Sequence, residues 1–461
     1  MSPTISFLGA AETVTGSKFL VATDQEQILV DCGMFQGIKE LRLQNWQPFP
    51  INPSLLDAIV ITHAHLDHCG YLPRLVRQGF SGKIYLTEYT AALAKIILRD
   101  SAKIQMEDAE FARAKGFSKH NPPLPLYTDD DAEAAIKLFV EVDFRTDFAI
   151  SAESSVKFLP SGHILGAAFV ELTVAGKKLL FSGDLGRPVH PVLAAPDPIP
   201  AVKFDAVIVE STYGDRIHED SGSILADTIN RTIDRGGTVL IPAFAVDRTE
   251  VLLMQLKELV ERKKIPAVPI FVDSPMASAA LDCYRSAIAE DSPEINSEVR
   301  ADLSHDIFAL ANLHETQSVS DSKALNQLKR PAIIIAASGM ATGGRVVHHL
   351  ARLLPDSANT VILVGFQAPG TRGRSLLEGA PTIKMHGAHV AVAAEVVYLP
   401  GLSVHADQTE LLSWLFDADA TYEQIFIVHG EVPAATKFAE LIRTKFPGKV
   451  TIPTHGEKFK I

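Results

Sequence analysis

Along the first 60 residues, hydrophobic positions come in bursts of four or five that alternate with polar ones and end at glycine-bearing turns. Residues 4–8, 18–21 and 27–31 have this form, which predicts short strands opening an antiparallel sheet. Residues 57–62 (Asp-Ala-Ile-Val-Ile-Thr) are apolar without alternation, the pattern of a strand buried on both faces of a mostly parallel sheet. A helix is predicted over 71–78, a strand over 83–86, and a long polar-faced helix over 90–115. The prolines of 121–125 end that helix. Strands follow at 155–159, 167–174, 178–182 and 205–210.

From about Asp215 the texture changes to regular β/α alternation. Strands at 238–242, 269–273, 332–337 and 360–365 each precede a helical stretch, the signature of a doubly wound parallel domain. Near Thr382 the first texture returns, and strand 425–428 is followed by a helix and a last strand. The predicted organisation is one domain inserted into another: 1–212, then an insert at 213–380, then 381–461. A chain of 461 residues suits two domains.

Composition narrows the class. Hydrophobic residues at 47% and charged residues at 21% describe a globular protein, neither disordered nor collagen-like. Three cysteines (Cys32, Cys69, Cys283) give no disulfide framework and predict a reducing compartment. The N-terminus lacks a basic region followed by an apolar core, and no apolar run approaches the roughly 20 residues of a membrane helix. A cytoplasmic chain with no membrane partner is expected. The net charge of −12 argues against a polyanion-coating protein but leaves room for a local basic cleft.

The chemistry concentrates in His63-Ala-His65-Leu-Asp67-His68, four strong ligands within six residues. They follow strand 57–62, at the carboxyl end where open α/β architectures place their sites. Imidazole and carboxylate together suit zinc, with manganese a weaker candidate. His163, Asp184 and His429 each follow an apolar strand beside a glycine that lets the backbone turn tightly. Asp184 is the best bridging candidate, because a carboxylate offers one oxygen to each of two metals. Two metals about 3.5–4 Å apart can stabilise both the attacking and leaving oxygens of a phosphoryl displacement. Asp31 ends strand 27–31 and is read as accepting the distal N–H of a ligand imidazole.

These residues resemble the metallo-β-lactamase superfamily in His63-x-His65-x-Asp67-His68, His163 and Asp184. Glu210-Ser-Thr-Tyr-Gly214, Ser403-Val-His405-Ala-Asp407 and Val428-His429-Gly430-Glu431 narrow the resemblance to the β-CASP nucleases, as do stretches 338–345 and 365–374. That family includes the pre-mRNA 3′-end cleavage nuclease and bacterial and archaeal relatives. The resemblance implies an αββα sandwich with an inserted doubly wound parallel α/β (β-CASP) domain. It implies two Zn2+ per chain, Mn2+ being the alternative. His63, His65 and His163 fall on one metal, Asp67, His68 and His429 on the other, and Asp184 on both. A histidine at 429 favours RNA over DNA.

The implied reaction is hydrolysis of RNA phosphodiester bonds by a metal-bridging hydroxide. Asp67, Glu210 and His405 are its catalytic residues, His405 protonating the leaving 3′-oxygen while Glu210 favours its imidazolium form. The products carry 5′-phosphate and 3′-hydroxyl ends, and both internal cutting and 5′-end digestion remain open. In the insert, Ser338, Gly339, Gly343 and Gly344 bring main-chain N–H groups near phosphates at the start of a helix. Arg345, Arg372 and Arg374 are expected to grip phosphates bidentately. Single-stranded RNA is the expected partner, with a homodimer through the 448–461 edge. His386 is given a structural role. One alternative is a small-molecule hydrolase (a thioesterase or lactonase), which needs neither Glu210, His405 nor a domain-sized insert. Another is an inactive scaffold, which would lack metal ligands that are all present here.

Overall fold

The computed structural model describes residues 2–115, 123–219, 222–301, 306–328 and 331–461. Two compact units emerge, Met1–Ile217 with His405–Ile461, and His218–Val404. The return to the first unit comes at His405, not near 381 as the change of texture suggested. Thr382–Met385 and Ala388–Ala391 form a hairpin, and Glu395–Leu399 then adds to the insert's own sheet, parallel to Thr360–Val364. The proline stop read at 121–125 begins outside the described residues, and the helix itself runs Glu88–Lys115.

The first unit holds two seven-stranded sheets. One runs antiparallel through Thr4–Phe7, Phe19–Ala22 and Gln27–Val30, then parallel through Ala58–Val60, Lys83–Leu86 and Phe139–Glu141. Alternation turns Ile5 and Phe7 inward, where they meet Val156, Phe158, Val170, Phe181 and Phe426 of the facing sheet. The Phe7 ring lies 5.8 Å from Phe19 in its own sheet and 5.0 Å from Phe426 in the other. Truncating so buried a ring to alanine costs about 3–5 kcal/mol. Helices Gln408–Phe416 and Val432–Lys445 cover the second sheet's outer face with Leu411, Leu415, Phe438 and Ile442. Asp407 starts the former, accepting hydrogen bonds from the Thr409 and Glu410 N–H groups. Helices Leu72–Arg77, Glu88–Lys115 and Asp129–Ile136 form the opposite helical layer, completing an αββα sandwich. Strand Phe139–Glu141 went unpredicted because three residues show no period.

Strand order brings the functional loops together. Ala206–Glu210 lies between Lys177–Phe181 and Gln424–Val428 and runs parallel to both. Loops carrying Asp184, Glu210 and His429 therefore leave the same sheet edge. In the other sheet, Gln27–Val30 and Ala58–Val60 run parallel, so Asp31 and the 63–68 loop share an edge too. Residues 448–461 supply the outermost strand of each sheet, Lys449–Thr451 and Lys458–Lys460. Among the described residues no helix is long and apolar enough to cross a membrane. All three cysteines are free.

The inserted unit carries a six-stranded parallel sheet in the order Leu313–Glu315, Ile270–Val272, Ala332–Ala336, Thr238–Pro242, Thr360–Val364, Glu395–Leu399. Leu240, Ile334, Val361 and Leu363 pack under helix Arg345–Leu353 through Val346, Leu350 and Leu353. One buried acid stands out. Glu250, in the first turn of helix Arg248–Glu261, is fully buried and neither carboxyl oxygen has a hydrogen-bond partner. Burial, then the nearby Asp247 carboxylate, pushes its pKa well above the usual range. A raised folded pKa means stability that is whole below the unfolded carboxyl value and is lost as pH rises. Glu250→Gln is therefore expected to raise the thermal midpoint of the inserted unit more at pH 8 than at pH 5. A pH-independent difference in melts of the two proteins would show that the acid is ionised in the fold.

Candidate metal centre

The site is built on strand ends that clamp one another through the backbone. Leaving strand Gln27–Val30, the Cys32 N–H donates to His68 O (2.7 Å) and Met34 N–H to Leu66 O, while Ser17 N–H reaches Asp67 O (2.8 Å). Gly33 allows this approach, since a Cβ there would sit 1.6 Å from Asp67 O. Asp31 (φ 59°) and His429 (φ 48°) are held in the left-handed region. For non-glycine residues that costs about 1–2 kcal/mol, and it is sustained by the sheet on either side.

Three of the imidazoles are oriented from behind. His68 Nδ1–H donates to Asp31 Oδ2 at 2.7 Å, as read for Asp31 from sequence. Asp31 also accepts from the Thr62 N–H and hydroxyl, so Thr62 Oγ1 is left to accept from His63 Nδ1 at 3.1 Å. Thr212 Oγ1 takes the same place behind His429 Nδ1, at 3.1 Å. Sequence reasoning missed Thr62 and Thr212 in these roles. Thr62 directly precedes His63 and was legible; Thr212 meets His429 only through the parallel pairing of 206–210 with 424–428.

The ligand atoms converge in three groups, each within 4.8 Å: His63, His65, His163 and Asp184; Asp67, His68 and His429; and Asp184, Glu210 and His405. Asp184 joins them. Its Oδ2 faces His63 Nε2 (3.4 Å) and His163 Nε2 (3.5 Å), while its Oδ1 faces His68 Nε2 (3.3 Å) and His429 Nδ1 (3.5 Å). Imidazole nitrogens stand close together, His163 Nε2 at 3.2 Å from His65 Nδ1 and His68 Nε2 at 3.2 Å from His429 Nε2. Lone pairs that face each other so closely repel unless a cation lies between them. Asp184 Oδ1 is buried and accepts no hydrogen bond. These donors fit metal ions of the imidazole–carboxylate type.

Electrostatics point the same way. Burial first, then the neighbouring His68, lowers the His63 pKa to about 3. Burial likewise takes His65 to about 4 and holds His163 well below its ordinary value. The shifts favour the neutral imidazole at all three, the form in which a nitrogen can bind a metal. At His68 burial opposes the cation, but Asp184 and Asp31 outweigh it and raise the pKa. Burial also opposes the Asp184 anion, which His429 and His68 more than restore, so it stays ionised.

On the same edge, the Leu185 N–H donates to Glu210 Oε1 at 2.6 Å, and Glu210 receives His405 Nδ1 at 3.3 Å. A bridge between Gly186 and His405 and the Ala406 N–H to Leu185 O bond (2.7 Å) fix the histidine's backbone. His405 Nε2 thereby lies 4.0 Å from Asp184 Oδ2, at the more open side of the cluster.

The expected phosphate residues of the insert divide differently. Ser338 Oγ closes its own loop, accepting from the Thr342 N–H at 3.0 Å. Gly339 packs against the Phe244 ring, and Gly344 (φ 75°) caps helix Arg345–Leu353. A Cβ at Gly343 would meet nothing within 4 Å. The arginines expected to grip phosphates already have partners within the insert. Arg345 donates to Asp273 Oδ1 (2.8 Å) and to the Thr316 and Gln317 carbonyls. Arg372 spans the Ala341, Thr342 and Lys384 carbonyls. Arg374 pairs with the exposed Glu378, an i,i+4 contact that a phosphate could displace. Asp273 is fully buried. Burial opposes its charge, yet donation from His349, Ser322, Thr316 and Arg345 holds its pKa well below the usual range.

Fold and site together define a metal-dependent hydrolase of the metallo-β-lactamase superfamily. Residues 14–230 match the model of that superfamily, 249–376 that of the Beta-Casp domain, and 389–453 that of the Zn-dependent metallo-hydrolase RNA specificity domain. The chain belongs to the β-CASP ribonucleases, hydrolases that act on RNA. It is 36% identical over 452 residues to Ribonuclease TTHA0252 of Thermus thermophilus, covering 97% of this chain and 98% of that one. It is 30% identical over 477 residues to Transcription termination factor FttA of Methanocaldococcus jannaschii, covering 99% of this chain and 71% of the other. The RNase J-like protein of the same organism is 29% identical over 98% of both chains. A crystal structure of a protein of unknown function from Enterococcus faecalis aligns over 100% of both chains with a TM-score of 0.52 at 13% identity, a likeness of fold alone.

Two outcomes follow. Asp184→Ala removes the one carboxylate that faces both imidazole groups, and elemental analysis of the purified protein should find its bound metal lost. Retention of a full complement would rule out a shared ligand. Arg345→Ala leaves buried Asp273 short of its cation and is expected to destabilise the insert by on the order of 3 kcal/mol. It should leave the salt dependence of RNA binding unchanged, whereas Arg374→Ala should reduce that slope by about one unit. The opposite pattern in salt titrations would restore Arg345 as a phosphate ligand.

Proposed function

We propose that the chain is a ribonuclease that holds two zinc ions and hydrolyses phosphodiester bonds of single-stranded RNA, leaving 5′-phosphate and 3′-hydroxyl ends. The observation that carries this reading is Asp184, whose two oxygens face two separate imidazole groups while His405 reaches the same carboxylate. His63, His65 and His163 would hold one ion, and Asp67, His68 and His429 the other. When bound, such a pair supplies the nucleophile and takes up charge that develops on the phosphate.

The protein's own groups do the rest. Asp31 and Thr62 fix the tautomers of His68 and His63, so that their Nε2 atoms face inward. Glu210 accepts from His405 Nδ1–H, and in the imidazolium form the second proton, on Nε2, is aimed toward the reacting centre. That proton passes to the leaving 3′-oxygen as the P–O bond breaks, giving the 3′-hydroxyl of the upstream fragment, and the phosphate stays on the 5′ end of the downstream fragment. In the insert, the main chain around Gly343 and Gly344 with Arg374 would receive phosphates.

Acid catalysis and metal binding can be separated. His405→Ala should keep its metals and lose about 10²–10⁴-fold in cleavage rate, the range for a missing general acid. A substrate with sulfur at the leaving position needs little protonation and should recover most of that loss. His429→Ala should lose metal and gain nothing from the sulfur. Identical behaviour of the two variants would remove His405 from the acid role.

A further inference from the structure

The hairpin Thr382–Met385 and Ala388–Ala391 turns on two residues, His386 and Gly387. Their φ values of 49° and 85° are both left-handed. Such a turn favours asparagine then glycine, so a histidine in the first position works against the local preference. The His386 ring is exposed and stacks on that of His348, with centroids 4.4 Å apart and planes 22° apart. His348 is itself exposed, on the outward side of helix Arg345–Leu353, whose Val347 and His349 point inward. Partial burial, then His386, His349 and Lys323, lower the His348 pKa, which favours its uncharged ring.

Cations surround the stack. Lys384 and His389 are exposed partners across the hairpin, while Ile383 and Met385 face the core. Lys323, which acts on His348, is exposed. Arg372 ties the patch to the loop that contains Gly343, donating to Lys384 O at 3.1 Å and to Thr342 O at 2.8 Å. On a chain of net charge −12 this is a local reversal of sign. Planar rings with free faces among cations suit an unpaired nucleotide: the base stacks, and the flanking phosphates meet the lysines. A duplex keeps its bases stacked on one another and offers none to such a surface.

We propose that His348 and His386 form a stacking platform for one unpaired base of the RNA, with Lys384 and Lys323 receiving the adjacent phosphates. The inference rests on the ribonuclease reading above and adds a binding position to it. His386→Asn keeps a residue suited to the left-handed turn and removes the ring, so the hairpin is retained. Anisotropy with a labelled, unstructured RNA oligonucleotide should show affinity falling about tenfold for His386→Asn and for His348→Ala, the order expected for one lost stacked base. His348→Phe, which keeps a flat ring, should bind as the wild type does. Lys384→Ala should lower the salt slope by about one unit. In cleavage, KM should rise for the two ring-less variants while kcat and the thermal midpoint stay unchanged. An abasic oligonucleotide should bind wild type and His386→Asn alike.

Affinity and KM within twofold of wild type for both ring-less variants would overturn the platform. If the metal-loaded wild type cuts no RNA but binding still falls in His386→Asn, the ribonuclease reading fails and the platform stands.

Discussion

The structure turns on the placement of one carboxylate. Asp184 is buried almost completely, and an isolated anion at that depth would take up a proton. It remains ionised because His68 and His429, on two separate loops, outweigh the effect of burial, and those loops can converge only if two sheets put their strand ends in register. The hydrophobic layer between the sheets, with Phe7 bridging to Phe426, is thus part of the electrostatics of the site. The strained backbone at Asp31 and His429 is a further consequence. A relaxed φ at either residue would carry the side chain away from a point fixed to a few tenths of an ångström.

The two units meet their polar demands differently. Around Asp184 some of the imidazoles are held from behind, threonine behind His63 and aspartate behind both threonine and His68. The inserted unit instead uses arginines as internal braces. Arg345 neutralises the buried Asp273, and Arg231 and Arg235 converge on Glu395 at the edge of the sheet. The first brace lies at the carboxyl end of strand Ile270–Val272 and the second at the amino end of strand Glu395–Leu399. They leave side chains such as His386 and Lys384 on the surface.

Much of the centre was legible in the sequence, because each ligand ends an apolar strand and strands announce themselves through pattern. His63, His65, His163, Asp184 and His429 could be named without coordinates for that reason. Pairings that depend on strand order could not be read. Glu210 and His405 are 195 residues apart, joined through the bridge from His405 to Gly186, and Thr212 and His429 are 217 apart, joined by neighbouring parallel strands. The partner of Arg345 was not legible, because Asp273 lies 72 residues earlier in a stretch that looks like an ordinary helix cap. The boundary near 381 failed for a related reason. Short strands of a hairpin look the same whichever domain claims them, and only pairing with Thr360–Val364 assigns Glu395–Leu399 to the insert.

The chain order of the ligands carries one more consequence. Synthesis runs from the N-terminus, and domains fold as they emerge. His63, His65, His163 and Asp184 all precede the insert, whereas His429 lies beyond it, on a strand that must slot beside Ala206–Glu210. The ends of the first unit's two segments are already joined there, Gln408 bonding to the Gly214 and Arg216 carbonyls. A growing chain can therefore assemble one ligand group early, but it cannot complete the second until the whole insert has passed. During most of its own translation the polypeptide holds half a centre. The cluster around Asp184 closes only with residues made after the insert.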